Sequence, residues 1–318
     1  MQRSAMSRVT VHTGARLHLG LLDTVAPFGG LGVMVDQPQT IISVEPHNDF
    51  FAGPSVTRRA TAIAQRCKQF TGQAEALQVS VRASESAPAH CGFGSGTQAS
   101  LAIAEGICKL IGAAIDHETL AREIADRGKR SAVGVHGYFQ GGLIYETSDG
   151  ANGGLNCVRE RIELPSEWRV VLVRSRGLSA TFGEDERQQF LKLPRPNEAT
   201  RNSLRRNIEA EILPAARQAD FESFAVAVER YNHDSGLMFA PVQGGPYNGT
   251  AVAQAVQLLK SLGACSVGQT SWGPCVFAWL PSDEVARSLV ERIDPNELLT
   301  QIVRPLNRGR ELRLENEL

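Results

Sequence analysis

The chain has no apolar run approaching the roughly 20 residues that a membrane-crossing helix requires. Its opening, Met1-Gln2-Arg3-Ser4-Ala5-Met6, carries no apolar stretch of the kind a secretory signal needs. The cysteines Cys67, Cys91, Cys108, Cys157, Cys265 and Cys275 are scattered, with no C-x-x-C pair to suggest a zinc site. In a chain this long they read as reduced thiols, and we expect a cytoplasmic protein without a membrane partner. Neither charge is in excess: 33 Lys and Arg stand against 34 Asp and Glu, so no nucleic-acid partner is expected. Internal repeats and low-complexity segments are also missing. What remains is an ordinary globular balance, 42% hydrophobic and 21% charged over 318 residues, enough for two domains with cores of their own.

Periodicity sketches the elements. Residues 8–13 and 16–23 alternate, with Leu17, Leu19 and Leu21 on one face of the second run and Arg16 and His18 on the other. Gly29-Gly30 marks a turn, and residues 31–36 and 40–45 read as two strands separated by Pro38. A helix is expected over 57–70, closed by Gly72. A strand over 77–82, a small-residue helix over 99–111 and a second helix capped by Asp116 follow. Residues 141–146 read as a strand, and 148–154 as turn-rich. The apolar strand 168–174 opens the second half, so the boundary is set near Pro165, giving domains 1–165 and 166–318. Helices over 197–213, 220–239 and 250–262 are interrupted by strands over 264–270 and 275–280. A helix after Pro281-Ser282 and a short strand over 299–303 end the chain. Strands first, then mixed elements, is an α+β pattern.

The candidate ligand loop is Gly92-Phe93-Gly94-Ser95-Gly96-Thr97-Gln98, between a strand and a helix. Closely spaced glycines let the backbone approach a ligand, successive N–H groups can form an anion nest, and the helix N-terminus adds partial positive charge. Glycines alone suit a structural turn equally well; the continuation through Ser95 and Thr97 into a small-residue helix favours a phosphate or pyrophosphate. No Lys-Ser or Lys-Thr follows Gly96, so this is not a Walker A loop, and G-x-G-x-G is a poor dinucleotide fingerprint.

The stretch from Pro88 to Ala99 resembles the Pro-x-x-x-Gly-Leu-Gly-Ser-Ser-x-Ala motif of the GHMP superfamily, the fold of galactokinase, homoserine kinase and mevalonate kinase. The stretch from Gly263 to Cys275 resembles that family's late glycine-rich motif. The likeness is greater to one branch, the β-ribofuranosylaminobenzene 5′-phosphate synthases. Its features resemble Arg16-Leu17-His18-Leu19-Gly20-Leu21-Leu22-Asp23, Gly94-Ser95-Gly96-Thr97-Gln98, Arg127-Gly128 with Ser131-Ala132-Val133-Gly134, and Gly268-Gln269-Thr270-Ser271-Trp272-Gly273-Pro274. The chain departs from the branch at Asp126, where the pattern has glycine, and in the basic pair Lys129-Arg130.

The resemblance implies a two-domain GHMP-kinase-like α+β fold. The N-terminal domain would be like the second domain of ribosomal protein S5, and the C-terminal domain ferredoxin-like. It implies a decarboxylating pentosyltransferase that joins phosphoribosyl pyrophosphate to 4-aminobenzoate, a step of tetrahydromethanopterin biosynthesis and so of one-carbon metabolism. Mg2+ is implied on the pyrophosphate, with no PLP and no redox cofactor, small-molecule substrates, and a homodimer. In that frame Gly92, Gly94, Ser95, Gly96, Thr97 and Gln98 would hold phosphates, with Arg127, Lys129 and Arg130 as a clamp. Arg16 or His18 would meet the carboxylate or a ribose hydroxyl, and Asp23 would hold Mg2+ or simply end a strand. Ser271 lies in a turn with Trp272, which would stack on the aromatic substrate or cap the core. Residues 131–142 contain no carboxylate, which counts against the competing ATP-dependent GHMP kinase, although His136 could act as its base. A catalytically silent phospholigand-binding homologue is the third alternative.

Overall fold

The computed structural model describes residues 6–26, 28–147, 154–176 and 192–316. The alternation at the start produces one strand rather than two: β1 (Met6–Leu21) runs through Gly14. A side chain at Gly14 would collide with the Val35 carbonyl oxygen, and the register shifts between Thr13 and Ala15. The glycine that reads as a break is therefore a bulge. β2 (Gly30–Pro46) likewise unites the two runs expected around Pro38. Thr13 faces Thr40 while Ala15 faces Val35, so residues 36–39 bow out of the ladder and Pro38 interrupts no pairing.

β3 (Phe51–Ala52), β4 (Val79–Glu85), β5 (Leu143–Thr147) and β6 (Cys157–Ile162) extend this sheet. The early part of β2 pairs with β5 and its late part with β4. Helices α1 (Thr57–Thr71) and α2 (Ser95–Leu110) cover one face, packing Ile63, Leu101, Ile103 and Ile107 on Val9, Val11, Ile42 and Val44. Gly72 closes α1 in the left-handed conformation, as its sequence position predicts. Asp116 caps a helical turn, His117–Thr119, that continues as a π-helical turn, Leu120–Ile124.

The second sheet has the order β10-β7-β9-β8, from β7 (Arg169–Ser175), β8 (Val267–Gln269), β9 (Val276–Leu280) and β10 (Leu298–Val303). The helix expected over 197–213 becomes Glu198–Asn207 followed by a π-helical stretch, Ile208–Ile212. Leu17, Leu19 and Leu31 of the first sheet share one core with Leu172, Phe277 and Trp279 of the second and Phe224 of the helix Phe221–Leu237. Among the described residues no helix is long and apolar enough to cross a membrane.

Three strands escape the periodicity: the two-residue β3, β6 and β11 (Glu311–Asn316). β11 pairs antiparallel with β1, across the division expected near residue 165. The cause lies just before the strand. Arg310 reaches the buried Glu105 of α2 at 2.5 and 2.9 Å, and its N–H donates to the Tyr138 carbonyl. The turn-rich stretch expected over 148–154 lies, up to residue 153, outside the described residues.

Candidate active site

Helix α2 starts at Ser95, four residues earlier than its apolar pattern suggests, with Gly94 at the N-cap in the left-handed region (φ 64°). The Thr97 and Gln98 N–H groups donate back to the Gly94 carbonyl at 2.9 and 3.1 Å. Helical geometry leaves the N–H groups of Ser95 and Gly96 without an intrahelical acceptor, beside the positive end of the dipole. The residues expected to form an open loop are therefore a helix terminus.

This terminus opens onto a cleft of about 670 Å³ between the two sheets, within the usual range for small-molecule sites. Arg16, His18, Gly94, Gly96, Thr97, Ser271 and Trp272 line it. Residues 126–131, including Arg127, Lys129 and Arg130, line it too. The polar face of β1 thus meets the cleft, while Leu17 and Leu19 enter the core. Asp126 is the one carboxylate among the described lining residues, and it pairs with Lys129 at 2.5 Å, which holds it below the ordinary range.

The two glycine-rich turns are packed back to back. A side chain at Gly92 (φ 87°) would collide with the Thr270 carbonyl oxygen, and one at Gly273 with Cys91 and the Gly92 nitrogen. Thr270 ties the turns together: its hydroxyl donates to the Gly92 carbonyl at 2.9 Å and accepts the His18 N–H at 3.0 Å. Ser271, at φ 54°, donates its N–H to the His18 carbonyl at 3.3 Å. A serine held in the left-handed region is strained unless its surroundings fix it, and strain of this kind gathers at functional turns.

Basic groups concentrate behind the helix terminus. Arg127 donates through Nε and Nη2 to the Ser100 hydroxyl at 3.1 and 3.0 Å. Arg59 of α1 reaches the Gly96 carbonyl at 2.6 Å and the same hydroxyl at 3.5 Å. Burial lowers the pKa of both guanidiniums, and Arg127 lowers that of Arg59 further. Two cations on one hydroxyl repel each other, and an anion at the helix terminus would relieve that repulsion.

Several expected site residues do other work. Gln98 is fully buried; it accepts from the Thr13 hydroxyl at 2.7 Å and donates to the Gly134 carbonyl at 2.8 Å, so its amide bolts helices to β1 rather than facing a ligand. Gly92 serves the packing against Thr270, and Ser95 contributes backbone rather than a place in the cleft lining. Asp23 caps Val25 and pairs with Arg195 at 3.2 Å and Arg201 at 3.5 Å, away from the cleft lining, so as a metal ligand it is displaced by two guanidiniums. His136 bonds the Asn156 carbonyl at 2.7 Å, has its pKa lowered by burial, and is not among the residues lining the cleft. Trp272 both packs edge-on against Phe239, 5.4 Å between ring centres, and lines the cleft.

Sequence inspection misses Arg59, Ser100, Thr270 as a tie, and Glu146. Arg59 stands in a helix without a motif. Glu146 did leave a trace, as a lone carboxylate in the apolar run Leu143-Ile144-Tyr145.

A family model described as "GHMP kinases N terminal domain" matches residues 57–142, and one described as "GHMP kinases C terminal" matches residues 212–297. The chain is 28% identical to a β-ribofuranosylphenol 5′-phosphate synthase of Archaeoglobus fulgidus, over 95% of this chain and 98% of that one. It is 26% identical to a protein of the same name from Methanothermobacter thermautotrophicus, over 91% and 94%. Among solved structures, homoserine kinase from Cytophaga hutchinsonii superposes with a TM-score of 0.69 at 14% identity, covering 98% of this chain and 99% of that one, a likeness of fold.

Proposed function

We propose, on the premise that this chain belongs to the GHMP kinase superfamily, that it is a decarboxylating C-ribosyltransferase. Its substrates are phosphoribosyl pyrophosphate and a benzoate with an electron-donating para group. Its products are a β-ribofuranosyl arene 5′-phosphate, CO2 and pyrophosphate. The observation that carries this is the cleft itself: a helix terminus suited to an anion, backed by Arg59 and Arg127, lines the same small-ligand-sized space as the aromatic Trp272. Full-length similarity to two proteins named as synthases supports the same reading.

The protein's task is positioning and electrostatics. Gly94, Gly96, Thr97 and Arg127 hold the departing pyrophosphate, Arg59 supports them from behind the helix terminus, and Lys129 and Arg130 stand at its solvent edge. Arg16 sits where an aromatic carboxylate or a ribose hydroxyl would lie. Trp272 holds the ring face, and closing the cleft excludes the water that would capture the developing cation. Among the described residues no group of three or more His, Cys, Asp or Glu could hold a metal ion. We place Mg2+ on the pyrophosphate oxygens, as part of the substrate. A homodimer belongs to the same proposal and is measured by sedimentation.

4-Aminobenzoate is the acceptor we put first. The relatives are named for a phenol product, which makes 4-hydroxybenzoate the second. The test supplies Mg2+, phosphoribosyl pyrophosphate and each carboxyl-labelled benzoate in turn and counts released CO2. Release that requires both substrates supports the reaction and ranks the acceptors. No release, with ATP hydrolysed when small alcohols are supplied, would favour a GHMP kinase instead.

A further inference from the structure

Behind the cleft wall lies an acid that the reaction as described leaves without a role. Glu146 is fully buried in β5, where every residue is buried. Its Oε2 accepts the Ala132 N–H at 2.7 Å. The Ser131 hydroxyl, the Asn156 amide and the Arg16 guanidinium also favour its ionised form. Ser131 lines the cleft, and its Oγ lies 3.2 Å from Nε2 of His18, which lines the cleft too. Polar groups thus lead from the ligand space through His18 and Ser131 towards Glu146, whose Oε1 is buried without a hydrogen-bond partner among the described residues and so has room to accept one.

Burial outweighs those polar partners and pushes the Glu146 carboxyl up to about 7. His18 is moved the other way, well below its ordinary value, by burial and then by Arg16. At neutral pH the imidazole is therefore neutral; it can pass a proton but not store one. Among the described residues, Tyr231 on the helix Phe221–Leu237 also feels the charge of Glu146, and burial keeps its hydroxyl protonated.

We propose that Glu146 is the proton store of this cleft, exchanging a proton with the bound aromatic acceptor through Ser131 and His18. The proposal rests on the reaction proposed above. When the ring carbon bonds to C1 of the ribose and the C1–oxygen bond to pyrophosphate breaks, the para hydroxyl or amine feeds electrons into the ring and gives up a proton. The relay carries that proton to the Glu146 carboxylate, which becomes a carboxylic acid. When the bond to CO2 breaks, its electron pair re-enters the ring, the para atom regains its lone pair, and the proton returns. No proton is consumed overall, so a group that ionises near working pH serves both directions. Glu146 acts through Ser131 and does not touch the substrate.

The test starts without substrate. In protein labelled with carbon-13 at its glutamate carboxyl groups, one resonance should titrate near pH 7 and vanish in Glu146→Gln. The nitrogen shifts of His18 should follow the same midpoint in wild type and stay flat in Glu146→Gln and in Ser131→Ala. In turnover, Glu146→Gln should lose about tenfold or more in kcat with KM for phosphoribosyl pyrophosphate little changed, and the kcat–pH profile should lose its limb near neutrality. Absence of a neutral-range glutamate, a His18 blind to it, or a wild-type pH profile in Glu146→Gln each overturns the proposal. If wild type releases no CO2 from either benzoate, the reaction reading fails, while the two titrations still decide whether Glu146 exchanges its proton with His18. If Glu146→Gln does not fold, Ser131→Ala decides the link.

Discussion

Arg59 and Arg127 converge on the single hydroxyl of Ser100, and an anion at Gly94–Gly96 would offset their mutual repulsion. Arg127→Ala should therefore raise KM for phosphoribosyl pyrophosphate by about tenfold or more, the worth of one or two charge-assisted hydrogen bonds, with a smaller effect on kcat. Steady-state kinetics with the donor varied checks this, and an unchanged KM would move the phosphate site elsewhere. Glu146 has a second consequence, for stability. Its carboxyl is raised from 4.5 to about 7 by folding, so its contribution is intact below pH 4.5 and is lost as pH rises to about 7. Relative to wild type, Glu146→Gln should gain on the order of 3 kcal/mol between pH 4.5 and pH 8, read from urea melts at each pH. A pH-independent difference would mean that the carboxyl does not titrate in this window. At this scale the sequence is informative where a residue's periodicity sets its face: Arg16 and His18 stand opposite a leucine stripe and do reach the cleft. It misleads where a polar residue has a nearby polar partner that only folding supplies. Asp23 meets two arginines more than 170 positions away, and Gln98 meets Thr13 and Gly134.

Among the elements, the glycine-rich turns behave as one unit, since Gly92 and Gly273 allow two backbones to touch and Thr270 bonds across the contact. Gly92→Ala would force a side chain into the left-handed region and against a carbonyl oxygen. The expected loss is about 2 kcal/mol or more, seen as a lowered thermal midpoint, together with weaker donor binding because α2 would shift. Gly72→Ala is the control: it carries similar backbone strain, but a side chain there meets nothing within 4 Å, so its loss should be smaller and donor binding should stay as in wild type. Equal losses in both variants would argue against the back-to-back contact. Strand and helix types are legible from periodicity because burial imposes the same period that the sequence shows. Continuity is not, because Gly14 and Pro38 are ambiguous locally: each is a break in an isolated strand and a bulge once a neighbouring strand fixes the register. The start of α2 is hidden for a related reason, as its first turn consists of small polar residues selected by the cleft rather than by a core.

For the molecule as a whole, the two halves share a core and a cleft, and the chain end ties them once more. After β10 of the second sheet the backbone crosses to the first, where β11 covers the outer edge of β1. The apolar pattern of β11 is weak, with Leu314 half exposed, so hydrophobic burial alone does not explain its place. Arg310 does: it brings a cation to Glu105, a carboxylate on a helix face otherwise packed against the sheet, whose other partner is the Tyr138 hydroxyl at 2.6 Å. Removing one member of a buried pair leaves the other charge uncompensated, so Arg310→Ala should cost about 3–5 kcal/mol. Arg310→Met combined with Glu105→Gln removes both charges while keeping most of the volume, and should recover much of that loss. If the edge is held by strand pairing instead, the single and double variants will melt together, and backbone amides of β1 will keep their exchange protection in Arg310→Ala. Loss of that protection along Val9 and Val11 in the single variant, and its return in the double, would place the anchor of the chain end in one ion pair inside the N-terminal half.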